Sequence, residues 1–460
     1  MPCDYTVVYH NHYLYLFSWL NCLLISRMEP VGKSSGIRIG DLPADVIKHI
    51  LVFLPIKDAA RTSVLSRKWR YLRRSIHQLV FDDDFALIPQ HLTDSELKVT
   101  SKQIMLDIYK CLLVHDGPIT KFVLSIPGLC SCDAEVDHVV LYLSSKGVED
   151  LTLVFEAFDS DIDDYRMHLS LFSAPHLKSL TLESCELTPP SWFVGFSKLT
   201  HLRLDLVILP DDFFQNFLSK CPMLEFLRVV CCGCPANLEI VAPSLKSFEF
   251  VGSFQDICFK CTPLLSFVSL NAWDTHTHEM GAIFASLPSL RQFLVKYNFL
   301  KRPAAGDRNV PTRLPIPLHL LEVLNVICIA FDGQGSEHIF FCLIMSSPNL
   351  RRLTVQLNAN QLYDQPAKNG TTGTRRLLEV EDCSGSSDCL RHLREFRIDH
   401  SHGTQVELDL VRFILATAPL LQLIHVTPEY KLSPQKIIKF MKEAMQYTRV
   451  SKEAKVMYGR

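Results

Sequence analysis

Short groups of apolar residues recur along this chain in one arrangement, apolar-x-x-apolar-x-apolar. The set runs Ile119/Phe122/Leu124, Val148/Leu151/Leu153, Leu177/Leu180/Leu182, Leu199/Leu202/Leu204, Leu224/Leu227/Val229 and Leu245/Phe248/Phe250. It continues through Leu265/Val268/Leu270, Leu290/Phe293/Val295, Leu321/Leu324/Val326, Leu350/Leu353/Val355, Leu393/Phe396/Ile398 and Leu421/Ile424/Val426. Most starts lie about 20–31 residues apart, with a jump of 43 between Leu350 and Leu393. A proline often stands two residues before the first apolar position: Pro175, Pro222, Pro243, Pro263, Pro288, Pro348 and Pro419. The last part of each group alternates and so predicts a short strand with one face inward. Intervening segments such as Phe213–Cys221 predict short helices. One strand and one helix cannot bury an apolar face alone, whereas stacked neighbours can, so the pattern predicts a solenoid over residues 115–360. Each group is weak evidence by itself; a dozen in order is not.

A different period precedes the repeats. In RIGDLPADVIKHILVFLPIKDAARTSVLSRKWRYLRRSI, Val46, Ile47, Ile50, Leu51 and Leu54 fall at helical spacing. Pro43 suits a first helical turn and Pro55 ends the helix. Asp58 is expected to cap a second helix carrying Ala59, Ala60 and Val64, and Ser66 a third bearing Trp69 and Leu72. Three such helices bury little surface alone, so the module at 38–78 is marginal unless it docks on something.

The order Leu42-Pro43, Ile47, Ile50-Leu51, Leu54-Pro55, Lys57-Asp58, Arg61-Thr62-Ser63, Leu65-Ser66, Lys68-Trp69-Arg70 and Leu72 resembles the F-box of plant proteins. The resemblance implies docking on a Skp-type adaptor and, through it, on a cullin–RING ubiquitin ligase. Carried over by position, Leu42, Pro43, Ile47, Leu51, Leu54, Leu65 and Trp69 would form or support that interface. The plainer reading is that they make a small helical core, and both can hold. The repeats likewise resemble intracellular plant leucine-rich repeats. Residues 390–430 resemble the FBD region, on Phe396–Ile398, Gly403, Glu407-Leu408, Phe413-Ile414-Leu415 and Ala418-Pro419-Leu420. The expected fold is therefore α/β: a three-helix F-box, then an irregular leucine-rich-repeat solenoid with parallel strands on its concave face. The segment 358–389, rich in Asn, Gln, Gly, Thr and Ser, is expected to be a surface loop. Residues 431–460 are expected to give a closing helix, Lys436–Met445, and a charged tail that frays.

Composition narrows the function. The net charge is −2, with 48% of residues apolar. No large basic field is available for nucleic acid. The 16 cysteines are scattered at apolar positions such as Cys111, Cys221 and Cys342 and read as buried free thiols of a reducing compartment, cytoplasmic and/or nuclear. Residues 1–37 read as an extension or disordered segment. The apolar stretch Tyr5–Ile25 contains His10, Asn11, His12 and Asn21 and has no basic flank before it, which disfavours a signal peptide or a span. A membrane or targeting role for it stays open, as does a start at Met28.

Other motifs are weaker. Gly32-Lys33-Ser34-Ser35-Gly36 spells a nucleophile elbow without the strand and helix that an elbow needs. Cys231-x-x-Cys234 and Cys258-x-x-Cys261 enclose a whole repeat and are not expected to form a zinc site. His276-x-His278, His400-x-His402 and Asp82-Asp83-Asp84 read as polar loops and turns. The expectation is a non-catalytic subunit without cofactor: a substrate receptor of an SCF-type ligase, or alternatively a repeat scaffold without target turnover. Target contacts are expected at the strand positions between the apolar ones: Ser179, Thr181, His201, Arg203, Phe226, Arg228, Ser247, Glu249, Gln292 and Lys296.

Overall fold

The computed structural model describes residues 39, 42–89, 92–155, 165–233, 237–254, 256–272, 280–296, 313–329, 336–357, 390–430 and 432–459. The segments 1–37 and 358–389, the Gly32–Gly36 motif, Cys234, His276 and His278 lie outside them.

The first module consists of α1 (Ala44–Val52), α2 (Ile56–Arg61) with a single 3₁₀ turn (Thr62–Val64), and α3 (Arg67–Arg73). Ser66 caps α3, its hydroxyl accepting the Trp69 N–H at 3.4 Å, as its position predicts. Two local expectations need correction. Pro43 and Pro55 occupy the N-cap positions of α1 and α2, and Asp58 lies inside the first turn of α2, where it pairs with Arg61 at 2.8 Å. A proline's φ suits a helix entrance and its missing N–H is no loss there, so Pro55 starts α2 before Asp58 can.

Among the described residues, the rest is built on one sheet of 14 parallel strands in chain order. These are β1 (Gln78–Phe81), β2 (Lys121–Ser125), β3 (Asp150–Val154), β4 (Ser179–Glu183), β5 (His201–Asp205), β6 (Phe226–Val230) and β7 (Ser247–Gly252). They continue as β8 (Phe267–Ala272), β9 (Gln292–Lys296), β10 (Val323–Ile329), β11 (Arg352–Leu357), β12 (Glu395–Ser401), β13 (Leu423–Pro428) and β14 (Lys455–Tyr458). All twelve apolar groups coincide with strands β2–β13, and none of their residues is more than 3% exposed. Register is maintained because a one-residue slip would turn every inward Leu outward; Leu180, Leu202 and Leu227 are direct lateral partners. Full burial of each such side chain stabilises by about 1.5–3 kcal/mol.

The recurrent prolines have a local cause. Pro222, Pro243, Pro263, Pro288, Pro348 and Pro419 each stand second in a turn closed by a backbone bond, as from the Leu224 N–H to the Cys221 carbonyl at 3.1 Å or from Leu350 to Ser347 at 3.2 Å. That position wants the φ that proline supplies. At the far end of several strands the chain leaves the sheet through a left-handed residue: Ser184, Leu206 and Cys231 have φ of 54°, 55° and 52°. Their N–H groups still extend the ladder, Leu206 to the Val230 carbonyl at 2.7 Å.

Elements between strands cover the inner face. They include α4 (Asp94–Leu113), α5 (Asp133–Ser144), α6 (Ser336–Met345), α7 (Gln405–Thr417) and α8 (Pro434–Gln446), with shorter turns such as Phe213–Asn216. The segment Lys436–Met445 is helical as its pattern indicates, but the expected frayed tail is wrong: Lys455–Tyr458 form β14 and pair with Leu423–Val426. Asp82 accepts the Phe85 N–H at 3.2 Å and caps a one-turn helix, a more definite role than a polar turn.

The helical module is not loosely tethered. The Arg74 guanidinium donates to the Val114 carbonyl at 2.8 Å and pairs with Asp116 at 2.9 Å. The His115 ring lies 2.8 Å from the Ile76 carbonyl, and Ile56 packs on the core of the sheet. Only Ser75, Ile76 and His77 separate β1 from the turn after α3. The module therefore has a set orientation relative to the repeats.

Candidate functional site

Two surfaces follow from this architecture. The first is on the helical module. Ile47, Leu51 and Trp69 are wholly buried, and the Trp69 indole donates to the Ile39 carbonyl at 3.2 Å. Leu42, Leu54 and Leu65 are half-buried against that core and Pro43 is exposed. The side chains taken from the sequence thus hold the module together, and three of them offer no surface to a partner. The exposed apolar side chains are others: Val46 at 43%, Phe53 at 49%, Val64 at 78% and Tyr71 at 68%. Where exposed apolar side chains adjoin one another they make a surface for a partner. Beside Phe53, whose ring meets His49 edge-on at 4.9 Å, lies a cleft of about 290 Å³ lined also by Asp45, Lys48 and His77. Helical spacing could have flagged Val46, which sits on the flank of the stripe, but nothing local marks Val64.

The second surface is the outer face of the sheet. All ten residues expected there project from it. His201, Arg203 and Gln292 are exposed; Ser179, Thr181, Phe226, Arg228, Ser247, Glu249 and Lys296 are half-buried. The register puts Thr181, Arg203, Arg228 and Glu249 side by side in one row, and Ser179, His201, Phe226 and Ser247 in the next. The His201 and Phe226 rings stack at 5.9 Å. Arg203 and Arg228 are adjacent like charges, and Asp205 resolves the conflict. Its side chain, 10% exposed, takes Arg203 at 2.5 Å and lies 3.6 Å from Arg228, which reaches Glu249 at 2.6 Å. Asp205 escaped the sequence reading because its strand end is expected to face solvent.

Other candidates separate. The His400 ring meets Glu429 at 3.2 Å, while His402 is turned inward. Cys258 lies in the middle of a small side strand, Asp256–Lys260, that pairs with Asn237–Val241, and Cys261 just past its end. Among the described residues, no group of three or more His, Cys, Asp or Glu side chains is placed to hold a metal ion, and no helix is long and apolar enough to cross a membrane. Cys111, Cys221 and Cys342 are free thiols, the last two buried.

The comparisons with known proteins agree with this two-part layout. The F-box profile matches residues 39–72, and a profile described as "FBD-associated F-box protein At5g56370, LRR repeats" matches 136–293. The chain is 29% identical to the F-box/FBD/LRR-repeat protein At1g13570 of Arabidopsis thaliana over 93% of this chain and 99% of that one. It is 32% identical to the F-box/LRR-repeat protein At3g58940 of the same plant over 85% of this chain and 65% of the relative. A third match, to the F-box/LRR-repeat protein At3g59200, is 31% identical and spans 51% of this chain and 44% of the relative. A helical F-box joined to a parallel repeat sheet, matched in both parts and in order, is the layout in which this chain is similar to F-box/FBD/leucine-rich-repeat proteins.

Proposed function

We propose that this protein is the substrate receptor of an SCF-type ubiquitin ligase, with the F-box docked on a Skp-type adaptor and the outer face of the repeats holding a target protein. The observation that carries the reading is the combination of four exposed apolar side chains on the module, Val46, Phe53, Val64 and Tyr71, with the contacts of Arg74, His115 and Asp116 that tie the module to the repeats. A receptor works by proximity: it must hold a target lysine within reach of the charged conjugating enzyme, and a fixed angle between docking face and binding face serves that end. The protein performs no bond chemistry itself in this scheme. A cytoplasmic or nuclear site of action goes with it.

The test is a pull-down of the full chain with a Skp-type adaptor, beside Phe53→Asp/Val64→Asp. Both side chains lie outside the core, so the double variant is expected to stay folded and lose the adaptor. Failure of the folded wild type to bind would overturn the proposal and leave the repeat-scaffold reading. Accumulation of captured targets on proteasome inhibition separates turnover from mere binding.

A further inference from the structure

Charge is distributed unevenly over the outer face. In the centre, cations of β4–β7 and the turns before them are answered: Lys178 by Glu149 at 2.8 Å, Arg203 and Arg228 by Asp205 and Glu249, Lys246 by Glu225 at 2.7 Å. A ligand anion there would have to displace carboxylates already in place. Toward the C-terminal end the pattern changes. Arg351 and Arg352 enter β11, and Arg394 and Arg397 stand at the equivalent end of β12, with Lys455 on β14 in the same row as Arg352. The Arg394 N–H bonds to the Arg351 carbonyl at 2.9 Å, so these two lie one strand spacing apart. All five side chains are exposed.

Among the described residues, the carboxylates there are too few to neutralise them. Glu395 is engaged by Arg397 at 2.6 Å. Glu322 is divided between Arg291 at 3.3 Å and Arg351 at 3.8 Å. Asp399 accepts the Thr427 hydroxyl at 2.8 Å. Among the described residues, Arg352 and Arg394 have no ion-pair partner. A local excess of arginine in a chain of net charge −2 is a feature of this face and not of overall composition. Guanidinium forks are the side chains best matched to carboxylates in two-point contacts, and a parallel sheet sets them at a regular spacing of about 4.8 Å.

We propose that the outer face of β11 and β12, at Arg351, Arg352, Arg394 and Arg397, seats an acidic, Asp- or Glu-rich segment of the target, and that the centre of the sheet does not. The inference rests on the receptor reading above and names the target's chemistry. It also moves the binding surface away from Arg203 and Arg228, where the bare sequence places it.

The probe is a fluorescently labelled poly-glutamate peptide, titrated into the full chain at two salt concentrations. Arg352→Glu/Arg394→Glu is compared with Arg203→Glu/Arg228→Glu, which makes the same change of net charge. The expected result is salt-sensitive binding by the wild type, weakened about tenfold or more by the first pair and left within about twofold by the second. Arg352→Gln/Arg394→Gln, which removes charge without reversing it, is expected to fall between. No binding by the wild type, equal losses in the two pairs, or a larger loss in the central pair would each overturn the proposal. So would preferential capture of single-stranded RNA over the peptide. An adaptor pull-down on the same preparations distinguishes the two readings. Adaptor bound without peptide refutes the acidic-segment site alone, and peptide bound without adaptor refutes the ligase assignment alone.

Discussion

The carboxylate of Glu407, wholly buried, accepts the Thr404 backbone N–H at 2.8 Å while the Thr404 hydroxyl accepts the Glu407 N–H at 3.4 Å. This reciprocal pair starts α7. The same carboxylate also accepts the His402 N–H at 2.9 Å and the Ser401 hydroxyl at 3.1 Å, so it satisfies the whole turn between β12 and α7. Gly403 permits that turn with φ of 67°. Glu407→Ala would leave three donors unpaired in the interior. It is expected to destabilise the C-terminal repeats by about 2–3 kcal/mol, with Glu407→Gln intermediate, since an amide presents one acceptor and one donor to three donors. Thermal unfolding and amide exchange over 395–417 would measure both.

Trp69 and Val64 belong to one module and should fail in different ways. Trp69→Ala empties a fully buried site and orphans the Ile39 carbonyl contact, at about 3–5 kcal/mol. That exceeds what so small a module can spare, so limited proteolysis within 42–76 is expected along with loss of adaptor. Val64→Asp, at a side chain 78% exposed, is expected to lose adaptor at unchanged protease resistance. Cleavage of both variants alike would contradict this division.

Leu206 holds a left-handed conformation with its side chain half in solvent. That conformation costs a branched side chain about 1–2 kcal/mol, and Asn tolerates it better. Leu206→Asn is expected to raise the midpoint of thermal unfolding by a few degrees, about 1 kcal/mol, because no core contact is lost. A lowered midpoint would show that Leu206 packs in a way its exposure does not reveal. The opposite case is Gly195, with φ of 116°: an added Cβ would lie 1.9 Å from the Lys220 carbonyl oxygen. Gly195→Ala should destabilise by more than about 3 kcal/mol, since backbone cannot give way cheaply.

Burial pushes the Cys221 and Cys232 thiols up to about 11. The nucleophile in alkylation is the thiolate, so at mildly alkaline pH both should react far more slowly than exposed Cys261. Mass-spectrometric mapping of iodoacetamide labelling reads this order directly. The sign for stability follows. The folded chain holds these protons more tightly than the unfolded chain, so the contribution is intact below the ordinary thiol range. It is lost as pH rises from that range through about 11. Unfolding midpoints that rose over this window would refute the burial of the two thiols.

Much of the molecule is written locally. Strands β2–β13 are legible because alternation has a period of two, the inward rows are all Leu, Val, Ile or Phe, and about half of the turns before them carry a proline whose φ is preset. The helices of the F-box follow from the spacing of Ile47, Ile50, Leu51 and Leu54, and the Ser66 cap from its own side chain. α4 carried a signal that went unread, the capping box of Thr93 with Glu96 ahead of Ile104, Met105, Ile108 and Leu112. Other features depended on which strand lies beside which. Arg203 looks free in sequence, yet Asp205 absorbs its charge, while Arg228 on the next strand is answered by Glu249 on the strand beyond. Arg351 and Arg394, far apart in the chain, are brought together by the register, and among the described residues Arg352 and Arg394 have no ion-pair partner. Lys455–Tyr458 became a strand only because β13 offered it an open edge, and Val64 became surface because Trp69 filled the module's small interior. Periodicity along the chain settles which way a side chain faces. What it meets there is settled by register between segments far apart in sequence, which short-range pattern does not encode.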